Sequence, residues 1–277
     1  SNDNTIKFTD GHDSFSLEQV NGMAAHILEK ILNKNYKHVG IAVSPSSLPG
    51  FVISIASMIG SIKNSLKPHY LASIPRQKLE DIDVLVIGSW RDYKMLNGSE
   101  KWYKLVLVCE PMTADMSLPE NVESWSEVLR GYNKSKLFEY DPQDISDDTK
   151  ILAFTTSSWN ATTSFTQGCL VSGIASFIQG FPSTHELSSN DTLTVAGCLG
   201  DVDLGIHFWH KALAVLLHGG SLTFVSKTSL RLREIENTTL LFCQPEDLMR
   251  LLEEINSKKW SSLQRLRFAC ATTLLSE

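Results

Sequence analysis

The stretch Lys150–Gly180, KILAFTTSSWNATTSFTQGCLVSGIASFIQG, decides the reading of the chain. It opens with Ile151-Leu152-Ala153-Phe154, a short apolar run suited to a parallel strand buried on both faces. A crowd of hydroxyl and amide side chains follows: Thr155, Thr156, Ser157, Ser158, Asn160, Thr162, Thr163 and Ser164. Then Leu170, Ile174, Ala175, Phe177 and Ile178 recur at helical spacing up to Gly180. A strand, a polar turn and a helix would bring backbone N–H groups and hydroxyls to the partly positive end of the helix, which suits an anion such as phosphate. An ordinary Ser/Thr-rich turn looks the same in sequence, so the stretch alone leaves both readings open.

The flanking sequence gives the same alternation. Ile6–Thr9, a turn at Asp10-Gly11 and Ser14-Phe15 predict a hairpin. Ser16 and Gln19 have capping-box spacing ahead of a helix whose apolar stripe is Leu17, Val20, Ala24, Ile27, Leu28 and Ile31. His38–Ser44 predicts a buried strand, and Pro49 opens an apolar helix from Phe51 to Ile59. Further strands are expected at Asp83–Ile87, Lys104–Val108, Leu193–Ala196, Ser221–Val225, Leu240–Phe242 and Leu266–Cys270. Helical patterns cover Val122, Trp125, Val128 and Leu129, then Leu204–Leu217 and Pro245–Ile255, and a polar linker runs from Tyr132 to Thr149. Strands alternating with helices predict an α/β fold of mostly parallel sheets covered by helices on both faces, in two lobes at about 1–148 and 149–277. Ligands in such sheets bind beyond the carboxyl ends of strands, where the Thr155 loop is expected.

Composition bounds the function. The chain has 277 residues, 42% hydrophobic and 20% charged, enough to bury a large core. A formal net charge of −6 with scattered Lys and Arg excludes a nucleic-acid binder held by phosphate contacts. No run has the length of a membrane span, and the five cysteines lack paired spacing, which fits a reducing compartment and a cytoplasmic location. Asp201, Asp203, His207 and His210 have spacings that metal ligands use, but a polar helix edge with an Asp N-cap explains them more simply, so no metal is expected. No glycine-flanked serine elbow, dinucleotide fingerprint or P-loop occurs.

Block by block, the chain resembles the AMP-forming acyl-adenylate superfamily of acyl-CoA synthetases and fatty acyl-AMP ligases. Phe154-Thr155-Thr156-Ser157-Ser158 through Thr163 is similar to that family's phosphate loop, with its glycines and lysine replaced. Asp203-Leu204-Gly205-Ile206 resembles the H-D-M-G-L segment of fatty acyl-AMP ligases, Leu240–Pro245 a strand ending in V-P-T, and Leu263–Glu277 a segment whose small residues border the nucleotide. The resemblance implies the first part of the large N-terminal domain of such a ligase, with ATP and Mg²⁺ as the family's cofactors and a fatty acid or acyl-AMP as its ligand. It assigns nucleotide and phosphate contacts to Thr155, Thr156, Ser157, Ser158, Thr162, Thr163, Ala271, Thr272 and Thr273, and an acyl pocket to Asp203, Gly205 and His207.

The family's later motifs and catalytic lysine have no counterpart here, so no catalytic residue is assigned and this segment alone is expected not to turn over. The glycines let backbone close over a triphosphate and the lysine supplies charge there, so their loss predicts weak ATP binding or none. Trp159 would cap or fill the pocket. A damaged loop beside a D-L-G-I segment resembles the ligase-like domains of the disco-interacting protein family. The alternative is a non-catalytic module that keeps the fold to bind lipid, a protein partner or the remaining domains of a longer chain. An uncovered strand at Leu266–Cys270 would also favour self-association.

Overall fold

A computed structural model describes residues 4–8, 13–79, 81–112, 117–134, 136–138, 145–156, 162–182, 185–196, 202–225 and 230–257. The elements in order are β1 (Thr5–Phe8), β2 (Asp13–Ser16), α1 (Leu17–Asn33), β3 (His38–Ala42), α2 (Leu48–Asn64), β4 (Lys67–Leu71), β5 (Val84–Ile87) and α3 (Trp90–Leu96). There follow β6 (Leu105–Val108), β7 (Val122–Ser124), α4 (Trp125–Val128), β8 (Ile151–Thr156), β9 (Thr162–Thr166), α5 (Gln167–Gln179), β10 (Thr192–Ala196), α6 (Val202–Leu217), β11 (Ser221–Val225), β12 (Leu240–Phe242) and α7 (Pro245–Ser257). They form an α/β fold with two mostly parallel sheets.

The chain divides into two compact units, one of residues 18–170 and 199–206, the other of 1–17, 171–198 and 207–277. The division follows pairing, not sequence order. The N-terminal hairpin joins the second unit because β1 lies parallel to β11, with Ile6 opposite Leu222 and Phe8 opposite Phe224.

In the first unit seven strands run in the order β7-β6-β5-β3-β4-β8-β9, all parallel except β9. Val84–Ile87 and Val106–Val108 are buried throughout, as unalternating apolar strands must be when both sheet faces are covered. Helix α2 lies against β3, β4 and β8 and buries Phe51, Val52, Ile53 and Ala56. It starts where Pro49 predicts, with the Ser47 hydroxyl accepting the Gly50 N–H at 3.2 Å. A side chain at Gly50 would run into the Ser44 carbonyl, so the turn from β3 into α2 requires glycine there.

In the second unit the order is β12-β10-β11-β1-β2, parallel except for β2. Phe8 and Phe224 stack at 5.0 Å, and Phe208 of α6 packs on Phe224 at 5.6 Å. A separate cluster joins Ala196, Val225, Leu241, Leu251 and Ile255, so α7 buries its stripe there.

Three expectations change. The opening stretch is strand, turn, strand, helix: β9 folds back antiparallel on β8 before α5 begins. Val122 lies in β7, and the helical pattern around it shrinks to the single turn α4, which Ser124 and Glu127 close with a capping box. Strand β4, KPHYL, was not foreseen, because a proline and two polar residues in five hide a strand that packing places at the middle of the sheet. The strand expected at Leu266–Cys270 lies outside the described residues.

Candidate functional site

Thr155 and Thr156 end β8 at the carboxyl edge of a parallel sheet, the edge where such sheets bind ligands. Thr155 is buried, opposite Tyr70 of β4 on one side and Thr163 of β9 on the other. Thr156 pairs with Thr162, their hydroxyl oxygens 3.3 Å apart, and the Ala72 N–H donates to the Thr156 carbonyl at 3.4 Å. The structure thus brings Thr155, Thr156, Thr162 and Thr163 together as the base of a hairpin. Ser157 and Ser158, Ala271, Thr272 and Thr273 lie outside the described residues.

The hairpin changes the electrostatics. Helix α5 starts where the Gln167 N–H donates to the Lys150 carbonyl at 3.0 Å, at the opposite end of β8 from Thr155. Six strand residues separate those ends by about 15 Å, beyond the reach of a helix terminus, whose field fades within its first turn. No lysine or arginine occurs from Ile151 to Gln179 either. A phosphate at this hairpin would therefore meet hydroxyls and backbone amides, without the positive end of α5 or a cationic side chain from these elements.

Sequence reading missed a second run of hydroxyls on the same edge. Ser44, Ser46 and Ser47 make the turn from β3 into α2, with the Ser44 and Ser46 oxygens 2.8 Å apart. Ile41, Tyr70 and Thr155 lie in register across β3, β4 and β8, which puts this turn about 10 Å from β8 at the usual strand spacing. The SPSSLP sequence was the available signal, since it carries an N-cap serine and an early helix proline.

Asp203, Gly205 and His207 fall in the first turns of α6; their side chains are outside the described residues. Among the described residues, no cluster of three or more His, Cys, Asp or Glu has the arrangement to hold a metal.

One helical turn beyond His207 stands Lys211, which sequence reading also passed over. Its Nζ is 3.1 Å from His210 Nε2, 5.1 Å from the centre of the Phe242 ring and 5.8 Å from that of Phe177. Burial among these groups lowers the Lys211 pKa from the ordinary lysine range. The signal was a lone lysine inside an apolar helix, HFWHKALAVLL, where a charge needs a local explanation. Two of the free cysteines offer less: burial pushes the thiols of Cys109 and Cys243 up, Cys243 to about 11, which leaves them inert near neutrality, whereas hydrogen bonds with Thr166 lower the pKa of the exposed Cys169.

No family model matches the chain. It is 45% identical over 277 residues to the putative uncharacterized protein YHR045W of Saccharomyces cerevisiae, a match that takes in 99% of this chain and 49% of the relative. The chain therefore spans about half the length of the curated relative it matches. Among solved structures it resembles ATP-bound MatB from Rhodopseudomonas palustris, with a TM-score of 0.63 at 13% identity over 91% of this chain and 48% of that one. The coronafacic acid ligase of Pectobacterium brasiliense gives 0.58 at 13% over 93% and 50%, and the luciferase-like enzyme of the mealworm Zophobas morio 0.62 at 12% over 90% and 58%. At such identities the likeness is one of fold, and the chain has, over about half their length, the α/β fold of these neighbours.

Proposed function

We propose that this chain is the nucleotide- and acid-facing part of an acyl-adenylate-forming, fatty acyl-AMP ligase-like protein whose phosphate loop is impaired. The observation that supports it is the hairpin at the carboxyl edge, where Thr155, Thr156, Thr162 and Thr163 converge in a fold also found in ATP-bound MatB. The hydroxyls suit phosphate oxygens, while α6, with Asp203, Gly205 and His207, would border the acid. In the family reaction ATP and a carboxylic acid give acyl-AMP and pyrophosphate, and charge on the transferring phosphoryl must be offset by Mg²⁺ and cationic groups. Thr163 stands where a cation would be needed, so ATP is held weakly and adenylation by this segment is slow or absent.

A second reading, a non-catalytic module for lipid or protein, is favoured by α5: LVSGIASFI carries no charge, and no residue of the helix is buried. Titration of the labelled chain with Mg-ATP, followed by amide chemical shifts, separates the two. The adenylate reading expects shifts confined to the hairpin and α6 with a dissociation constant well above micromolar. A low-micromolar constant lost in Thr155→Val would overturn the impairment, and an unperturbed hairpin at saturating nucleotide would leave the binding-module reading in its place.

A further inference from the structure

We propose that Lys211 is an acyl-acceptor amine: its Nζ, set against His210 Nε2 between the rings of Phe177 and Phe242, takes the acyl group from small acyl phosphates and acyl thioesters. Three elements build this position. Gly173 of α5 presents no side chain to α6, and a Cβ there would stand 2.9 Å from His210 Nδ1, so the His210 ring seats directly on the α5 backbone. Phe177, one turn further along α5, then comes over Nζ, with its ring 6.4 Å from that of His210. Phe242, the last residue of β12, closes the other side at the carboxyl end of its strand.

The chemistry follows from that enclosure. Only the neutral amine has a lone pair, and surface lysines near neutrality are almost wholly ammonium ions. At Lys211 the loss of water around the charge favours the neutral form, and an imidazole nitrogen at 3.1 Å is placed to take the proton. The ring faces attract the ammonium, which acts in the opposite direction, so the net reactivity is a measurable quantity.

In the step itself His210 Nε2 takes one proton from the ammonium, and the Nζ lone pair attacks the acyl carbon. The C–N bond forms as the C–S or C–O bond to the leaving group breaks. The amine's second proton leaves with the thiolate or phosphate, and His210 returns its proton to solvent. The product is a neutral amide at Lys211 and a free thiol or phosphate.

This inference does not depend on adenylate formation, because the acyl donor is supplied from solution. The full chain is treated with limiting acetyl phosphate, and separately with an acetyl thioester, and the occupancy of every lysine is followed by peptide mass spectrometry. Lys211 should acylate about threefold or more faster than the median of the other lysines, as a more readily deprotonated amine does. His210→Gln should return it to the median. The same reaction in denaturing urea should erase the preference whether or not the variant folds. Reaction of Lys211 at or below the median in the folded chain, a preference that survives urea, or an unchanged rate in a folded His210→Gln protein would each overturn the proposal.

Discussion

His38 Nδ1 and His69 Nε2 lie 3.3 Å apart across the parallel strands β3 and β4, and the His69 ring stacks on Phe154 of β8 at 4.8 Å and 14°. One nitrogen donates and the other accepts, so a second charge on this pair breaks its bond. Burial, then the neighbouring imidazole, lowers the His69 pKa from 6.5 to about 4; burial and Lys67 lower that of His38. Lys37, Asp81 and Asp83 act on His38 as well, and the two aspartates oppose the shift.

The sign of the pH dependence follows. A histidine whose folded pKa is depressed binds more protons when unfolded, so it contributes stability above pH 6.5 that is lost as pH falls toward 4. The loss at His69 stays below about 3 kcal/mol on the scale of 1.4 kcal/mol per pKa unit, because water still reaching the ring screens part of it. Urea melts across that range should show a stability decline that His69→Phe, which keeps a ring on Phe154, flattens. An equally steep decline in the variant would place the titration elsewhere.

Asp83 ties three segments. Its Oδ2 accepts the N–H groups of Lys37 and His38 at 2.8 and 3.1 Å, while Oδ1 pairs with Lys104 at 2.7 Å. Burial acts to raise its pKa, but Lys104 and the two amides prevail and lower it below 3.8. Its contribution is therefore present above that value and lost as pH falls through the lowered folded pKa. Asp83→Ala should lower the denaturant midpoint at pH 7 modestly, by about 1 kcal/mol for the two amide bonds, since water reaches this edge and the Lys104 pair is exposed.

Gly173 carries a steric prediction. Alanine there should push His210 away and cost about 1–3 kcal/mol, since a Cβ 2.9 Å from the ring nitrogen forces a shift in a packed contact. Thermal unfolding reads the loss. The same variant should lower the acylation preference of Lys211.

Ser124 is a fully buried polar residue, so its hydroxyl and N–H depend on partners inside the protein. It ends β7 and caps α4 reciprocally with Glu127, whose Oε2 accepts the Ser124 N–H at 3.0 Å. Ser124→Ala should cost about 1 kcal/mol, read by chemical denaturation.

Legibility differed by element. Helices α1, α2, α6 and α7 and the strands β3, β5, β6, β10, β11 and β12 could be read directly, because apolar stripes and unalternating apolar runs each need one kind of cover. Ile151–Phe154 was legible as a strand and Thr155 and Thr156 as hydroxyls of the turn after it, whereas the strand itself runs on through Thr156. The second strand of their hairpin was not legible: TTSFT has as many hydroxyls as a turn, and only its ladder to β8 makes it a strand. Lys211 was invisible for a related reason, since Phe177 and Phe242 stand 34 residues before and 31 after it in the chain.

Parallel sheets follow from local composition alone, since Val84–Ile87 and Leu105–Val108 have no polar face to give to water. The start of α2 is local as well, marked by Pro49. Long-range packing joins the N-terminal hairpin to β11, puts β9 between the threonine loop and α5, and half-buries a lysine of an apolar helix beside an imidazole. Local periodicity reports which face of an element is apolar. Which distant surface covers that face, and how much water remains around a charge there, is settled by packing between segments far apart in the chain.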